Sequence, residues 1–507
     1  MNENGRNVVI IGGGIAGLCT AVYALACGYH VDLYEMHDMA GGLAMSWRRG
    51  QYRFETCLHW LVGSKPAGDL HAQWQEVCDM DRLKFIDPEI FVHMEDEAGG
   101  GLTIFTGVDR LEAELLRRAP QDAAAIHDLT HAIRALGKFR MMVLSSGFGE
   151  NWQTMLHDIP VLPVVRRLSR ISGRQYAERF SDPLLKSFFG EGDLGKMPVL
   201  ALLISLAWMN DGNAGYCIGG SQALIRLIEE RIEALGGRVH FGTKVTRILV
   251  QDGRATGIQL ANGEIVPADW VVSAADGHAT LFELLGGNYV DDLRQRVYDE
   301  KELFASYLQV SLGIAADLRD QPPMVTRLLD QPISVDPGTE TRHISFRFFH
   351  FDPTFAPKGN TAVTSLLLTR NFEYWEDLRE HDPILYRAEK QRVAQSVIGV
   401  LEKRIPGIRA AIEVVDVSTP ATIIRYTGNW KGSMEGWLPA PGSGFRPYPN
   451  RLPGLEKFLM VGQWVMPGGG LPSGPMTARP AVREICRQDH VPFTPAAVVE
   501  KREPVGV

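Results

Sequence analysis

The sequence predicts an α/β fold: a discontinuous doubly wound domain, plus an α+β domain with an antiparallel sheet and a helical portion. Three observations carry this. A strand–glycine–helix–strand unit opens the chain between Asn7 and Glu35. A second strand–glycine–helix element, from Phe458 to Arg487, closes it. Between them, residues 302–420 show strand-like runs that suit an antiparallel sheet rather than more βαβ units.

The elements follow in order. Asn7 to Ile11 (NVVII) is a short apolar run, as expected of a buried parallel strand. GGGIAG comes next, then an apolar helix pattern through Ala26, punctuated by Gly28. His30 to Tyr34 is the second strand and delivers Glu35 at its end. Hydropathy alone flags Val8 to Cys27 as an uncharged stretch of membrane-span length. Gly12, Gly13, Gly14 and Gly17 break it into strand, turn and helix, so no span is assigned there. Residues 67–215 read mostly helical, with periodic runs at Leu111–Ala119, Asp122–Leu144 and Gln175–Phe189. Ser221–Leu235 is a further helix. Val239–Gln251 and Arg254–Leu260 are strands about the Asp252-Gly253 turn, Asn262-Gly263 marks another hairpin turn, and Trp270–Ser273 is a short strand. Phe304–Ala315, His343–Phe351 and Thr361–Thr369 make the antiparallel sheet, followed by a helix over His381–Arg404 and a strand over Ile412–Val417. The tail supplies a strand at Phe458–Val461, a glycine turn at Pro467–Gly470 and a helix over Met476–Arg487.

Composition bounds the function. A chain of 507 residues suits two to three domains, and 45% hydrophobic with 22% charged residues is ordinary for a globular protein. With 60 acidic against 52 basic residues the net charge is −8, which argues against a nucleic-acid partner. The six cysteines are scattered, with no CxxC pair and no metal-ligand spacing, which suggests a reducing compartment. No signal peptide is read at the N-terminus, so the expected location is cytoplasmic.

The glycines carry the first chemistry. In Gly12-x-Gly14-x-x-Gly17, the first glycine permits a tight turn, the second lets backbone approach a pyrophosphate and the third lets helix and strand pack closely. The helix N-terminus then offers free N–H groups to the phosphates, with Ile15 and Ala16 in its first turn. Glu35 follows Gly17 by 18 residues, at the end of the next strand, where it can accept hydrogen bonds from ribose hydroxyls; Met36 follows it. Gly41-Gly42, with Leu43 beside them, permit a second close backbone approach, a feature nicotinamide enzymes do not need. The dinucleotide is therefore read as FAD, with Arg48 or Arg49 adding charge toward the pyrophosphate. The tail turn, Gly462-Gln463 through Gly469, Gly470 and Leu471, places a helix N-terminus near Met476 against the flavin. Two such elements at opposite ends of the chain make the Rossmann-type FAD domain discontinuous. Its parts are 1–66, 216–300 and 455–490; 67–215 is a mostly helical substrate- or membrane-facing region, 301–454 a substrate domain, and 491–507 a loose tail.

GGGIAGL…YE…AGGLAMSW, FETCLHWLVG, GYCIGGSQAL and FLMVGQWVMPGGGLP resemble the phytoene desaturase, carotenoid isomerase and retinol saturase superfamily. The broader group includes amine oxidases and the Rab escort proteins. The resemblance implies an FAD domain, a substrate domain and a long apolar tunnel ending at the flavin. By position it assigns FAD contacts to Gly12, Gly14, Gly17, Glu35, Gly42, Val245, Gly462 and Met476. Gln463 departs from the acidic residue many relatives carry there. Its amide can still hydrogen-bond a hydroxyl. The segment FETCLHWLVG places Glu55, His59 and Trp60 in a region that lies beside the flavin in retinol saturase-type relatives, and His59 is a candidate proton carrier near neutral pH. Tyr216 is a candidate cavity residue, and Trp464 and Met466 are apolar walls.

The reaction implied is FAD-dependent desaturation or saturation of C–C or C=C bonds in a long apolar substrate, a carotenoid, isoprenoid or fatty acyl chain. Electrons would pass to or from a quinone or another small partner, since no second GxGxxG offers a nicotinamide site. Three alternatives stay open: a redox-neutral isomerase, an amine oxidase and a non-enzymatic isoprenoid escort protein. No metal site and no nucleophilic triad are read. The apolar stretches Ile159–Val165 and Met197–Met209, with Arg166, Arg167, Arg170, Arg174 and Arg179 among them, suggest peripheral contact with the inner face of a membrane.

Overall fold

A computed structural model describes residues 5–66, 68–139, 159–443 and 447–495. Its centre is a five-stranded parallel sheet in the order 238–240, 30–34, 7–11, 270–273, 458–460. The registers are Val8 against Val31 and Trp270, and Val272 against Leu459. Strand Asn7–Ile11 shows why a fully apolar run was needed. Alternate side chains face opposite layers, and Val8, Val9 and Ile10 are all solvent-free. Val8 and Ile10 join a core with helices Ile15–Ala26, Gly220–Ala234 and Ser473–Asp489. Val9 and Ile11 join a second core with the antiparallel meander Val245–Gln251, Arg254–Leu260 and Ile265–Pro267. The first helix and the last lie against one another, so the two ends of the chain meet in one core.

The second domain rests on a seven-stranded sheet in the order 412–418, 306–314, 361–369, 339–348, 324–336, 90–96, 101–105. All nine residues of Ser306–Ile314 are buried. One face packs on Pro383–Arg404 through Val393, Val397 and Leu401. The other approaches the dinucleotide-binding unit so closely that a Cβ at Gly313 would lie 2.4 Å from the Tyr52 ring.

Several elements differ from the sequence expectation. Within the mostly helical region, Ile90–Asp96 and Gly101–Phe105 form a hairpin whose first strand pairs in parallel with Met324–Asp336, a strand the sequence reading leaves unmarked. Partners more than 200 residues apart leave no local signal. The helix expected over His381–Arg404 runs over Pro383–Arg404, and a separate helix, Phe372–His381, precedes it. Pro383 lacks an N–H and starts the longer helix, and the Asp382 carboxylate accepts from the Leu385 N–H. Gln175–Phe189 splits into Gly173–Ala177 and Pro183–Gly190. Val239–Gln251 breaks into a sheet-edge strand, Arg238–His240, and Val245–Gln251. Of Asp122–Leu144, helix Ala123–Leu136 is seen, and residues 140–144 lie outside the described residues.

Met197–Met209 provides no membrane-docking surface. It forms helix Val199–Asn210, apolar on every side, with Val199, Leu203 and Leu206 buried against Leu129, Ile133 and Phe189. A helix hydrophobic all round belongs in a core. Of the arginines, Arg167 and Arg179 pair with Asp128 at 3.1 and 2.6 Å. Arg166, Arg170 and Arg174 stay exposed near Ile159 and Leu162, which are 54% and 48% exposed. Among the described residues, no helix is long and apolar enough to cross a membrane.

Leu203→Ala is therefore expected to destabilise the protein by ~2–5 kcal/mol, as for other buried leucines. The check is the thermal and urea midpoints. Midpoints equal to wild type would place Leu203 outside a packed core.

Candidate functional site

The first glycine motif builds a cradle. Gly12 has φ +98°, a left-handed backbone that a side chain would strain. A Cβ at Gly17 would lie 1.9 Å from the Gly12 carbonyl oxygen, so the helix can seat on the turn only without one. A Cβ at Gly14 would meet nothing within 4 Å; Gly14 borders open space. The second glycine pair docks directly on this turn. The Gly41 N–H donates to the Gly13 carbonyl at 2.9 Å, and a Cβ at Gly42 would lie 3.3 Å from the Gly14 Cα. Glu35 is buried and accepts from the N–H groups of Gly13 (2.6 Å) and His37 (2.8 Å). A carboxylate has roughly four lone-pair sites, so it retains acceptors for hydroxyls.

The tail closes the same space. A Cβ at Gly474 would lie 2.8 Å from Ile15 Cγ1, and one at Gly462 would lie 3.2 Å from Ala16 Cβ, so the closing turn touches the opening helix. The Gly462 N–H donates to the Thr477 hydroxyl at 2.9 Å, which pins the strand end to the last helix. That helix starts at Ser473, three residues before the expected Met476. Between these elements lies a cavity of about 530 Å³. Its walls include Gly12, Gly14, Ile15, Ala16, Glu35, Met36, Gly41, Gly42, Leu43, Val245, Gly462, Gln463, Gly470 and Leu471.

Other expected residues lie off this wall. Gly17 and Met476 are interior packing positions; Met476 is buried in the first core because its helix begins a turn earlier. Gly469 packs on Glu435, where a Cβ would lie 2.5 Å from the Glu435 carbonyl oxygen. Arg48 is exposed on the hairpin Ser46–Arg49/Tyr52–Glu55, whose antiparallel pairing turns it to solvent.

The three catalytic candidates are also off the wall. The Glu55 carboxylate accepts from the Ser221 N–H at 3.0 Å and the Leu58 N–H at 2.9 Å. It caps helix Gly220–Ala234, and a Cβ at Gly220 would overlap it. Burial raises its pKa to about 7 against the lowering effect of those N–H groups and of Arg347. His59, expected as a proton carrier near neutral pH, lies beside Arg347. Burial, then the Arg347 guanidinium, lowers its pKa to about 3, so the ring is neutral at pH 7. Arg347 also donates to the His59 carbonyl at 3.0 Å and stacks over Tyr216 and Phe349 at 5.2 and 5.1 Å. The Tyr216 hydroxyl donates to Asp352 at 3.0 Å, and burial pushes its pKa well above the usual phenol range. These are holding roles: Glu55 ties its segment to helix Gly220–Ala234, and Tyr216 is tied to Asp352.

The cavity also has walls the sequence reading missed. Residues 424–429 and 434–435 cross it from the second domain, and Lys244, Thr243, Cys57 and Asp276 add polar groups. A Cβ at Gly428 would lie 3.4 Å from Met36 Cε, so this crossing segment touches the residue after Glu35. Gln463 Nε2 donates to Asn429 Oδ1 at 3.3 Å, linking it to the tail motif. The Trp464 indole N–H has no acceptor among the described residues. No glycine pattern marks residues 424–435, and only the fold brings them over the cavity.

A family model described as flavin containing amine oxidoreductase matches residues 15–410. A phytoene desaturase (neurosporene-forming) of Cereibacter sphaeroides is 28% identical, over 92% of this chain and 91% of its own. A chloroplastic prolycopene isomerase of Daucus carota is 22% identical, over 97% and 82%. Among solved structures, an oxidoreductase from Methanosarcina mazei superposes with TM-score 0.58 at 18% identity, covering 94% of this chain and 100% of that one. Cyclohexylamine oxidase from Brevibacterium oxydans gives 0.59 at 14% identity, covering 96% and 100%.

Glu55 predicts a pH effect with a definite sign. Its pKa is raised on folding, from 4.5 to about 7, so the folded state holds the proton more tightly. Its favourable contribution is full below pH 4.5 and is lost as pH rises through 7. Relative to Glu55→Gln, wild type should lose stability across that window in thermal unfolding. A difference independent of pH would show that Glu55 is ionised throughout.

Proposed function

The chain belongs to the flavin containing amine oxidoreductase family, and from this premise we propose that it forms or removes C=C bonds in a long apolar substrate of the carotenoid, isoprenoid or fatty acyl class. It is an FAD-dependent oxidoreductase. The residues present fit FAD. Gly14 leaves open space at the helix N-terminus for a pyrophosphate, Glu35 keeps acceptors for ribose hydroxyls, and Val245 lies on the wall where an adenine would reach. Bound there, the flavin supplies hydride exchange. The protein supplies position and the N-terminus of helix Ser473–Asp489, whose partial positive charge suits a reduced, anionic ring.

The observation that carries the substrate class is the resemblance, over nine-tenths of the chain, to a phytoene desaturase. A redox-neutral isomerisation is the second reading, supported by a match to a prolycopene isomerase over 97% of the chain. A quinone or other small electron partner fits the desaturation reading. So does peripheral binding to anionic lipid through Ile159, Leu162 and the exposed Arg166, Arg170 and Arg174, each arginine contributing roughly 1 kcal/mol near such a surface.

Purified protein should be yellow and release FAD on denaturation. Gly14→Leu should fold but bind FAD at least 100-fold more weakly, because the side chain fills the pyrophosphate space. Anaerobic incubation with carotenes and acyl lipids, followed by mass spectrometry, tests the substrate. A product differing by two hydrogens supports desaturation or saturation, and an unchanged mass with altered geometry supports isomerisation. Flavin reduction by simple amines, with no polyene or acyl chain converted, would replace both with amine oxidation.

A further inference from the structure

Four acidic side chains line the cavity, and three are engaged. Glu35 accepts from two backbone N–H groups. Asp276 accepts from the N–H groups of Ala279 and Trp430, each at 2.8 Å. Glu283 faces His278 at 3.8 Å. The fourth, Glu435, has no hydrogen bond or ion pair among the described residues. Yet the backbone that carries it is held firmly. The Ser433 hydroxyl accepts from the Gly436 N–H at 3.0 Å, the Phe304 N–H donates to the Gly436 carbonyl at 2.9 Å, and Gly469 packs on the Glu435 carbonyl. A free carboxyl on a fixed backbone is placed for a partner the protein does not provide.

Its position is specific. A Cβ at Gly470 would lie 3.9 Å from Glu435 Oε1, so the carboxyl stands over the tail glycine turn, in a stretch of wall shared with Met434, Leu471 and Cys57. Burial, then the charge of Asp193, raises its pKa to about 7. The other charged and titratable groups about it are accounted for. Asp193 is bonded to Arg370 at 2.6 Å and to the Ala305 N–H at 2.7 Å, and the Cys57 thiol is kept neutral by burial and by Glu55 and Glu435. Near neutral pH, Glu435 can therefore exist in either protonation state without disturbing a structural bond.

We propose that Glu435 is the catalytic residue that takes up or returns the proton accompanying hydride transfer in this cavity. This rests on the functional reading above. In a desaturation, one substrate C–H bond breaks and its electron pair leaves as a hydride to the oxidised flavin. The neighbouring C–H bond breaks with its proton passing to the Glu435 carboxylate, and the electron pair left behind forms the C=C bond. Saturation reverses both transfers, with the neutral Glu435 carboxyl protonating carbon.

The test reads the flavin before it reads turnover. In the FAD-loaded protein, an ionising carboxyl beside the ring should shift the visible bands with a midpoint near pH 7. Glu435→Gln keeps shape but cannot ionise; it should bind FAD within about threefold of wild type and lose the transition. Glu435→Ala keeps the Cβ and carbonyl on which Gly469 packs, and should also lose it if the glutamine variant fails to fold. With substrate, Glu435→Gln should lower turnover roughly 10²–10⁴-fold and flatten its pH profile. A wild type with no transition, or a variant that keeps it, overturns the proposal. Protein that binds FAD and converts substrate equally well as wild type and Glu435→Gln overturns this inference alone. Protein that binds no FAD overturns the functional reading with it.

Discussion

The close approach of backbone to backbone at the N-terminus of helix Ile15–Ala26 is the constraint on which the rest depends. Gly17 must seat on the Gly12 carbonyl at a separation no side chain permits, while Gly42 lies tight against the Gly14 backbone and Gly474 against the Ile15 side chain. Once these contacts form, the first and last helices share one core, and the strand ends at Glu35 and Gly462 face a common space. The cavity is thus a consequence of close packing.

The second domain is fastened to this cradle through buried polar groups. Glu55 is the joint: its carboxylate caps the helix at Ser221, while its carbonyl accepts from Gln309 Nε2 at 3.1 Å in the large sheet. Tyr216 and Gly219 meet at Asp352, and Arg347 reaches the His59 carbonyl. Truncating one partner in such a network would leave another buried and unpaired, at about 1–3 kcal/mol. That cost favours a fixed relation between the segment beside the cavity and the sheet behind it. Such a fixed relation holds the groups of that segment at set distances from the cavity.

Buried acid groups in and beside the cavity take different parts. Glu55 and Asp276 spend their oxygens on backbone N–H groups and act as caps. Glu35 does the same and keeps capacity toward the cavity. Glu435 spends none. Burial raises the pKa of Glu55, Asp276 and Glu435 alike, so titration behaviour alone does not separate structural from reactive acids. The bonds each one makes do.

By itself the sequence determined the dinucleotide cradle, because each of its demands is local: a turn needing positive φ at Gly12, a contact excluding side chains at Gly17, an acid at a strand end. The expected strands Asn7–Ile11 and His30–Tyr34 agree with the structure to the residue for the same reason. Tertiary structure decided the rest. The hairpin at 90–105 is a hairpin because a strand more than 200 residues away pairs with it. The helix at 199–210 is core rather than membrane surface because its apolar side chains pack into a core shared with other helices and the 90–105 hairpin. Glu55 and Tyr216 carry chemistry-bearing side chains, but hydrogen bonds and burial give them holding roles, and His59 lies beside Arg347. Glu435 carries no motif, and only the crossing of 424–435 over the glycine turn brings its carboxyl to the cavity. Local sterics are written residue by residue, whereas the partners of a side chain depend on which distant segments the fold brings beside it.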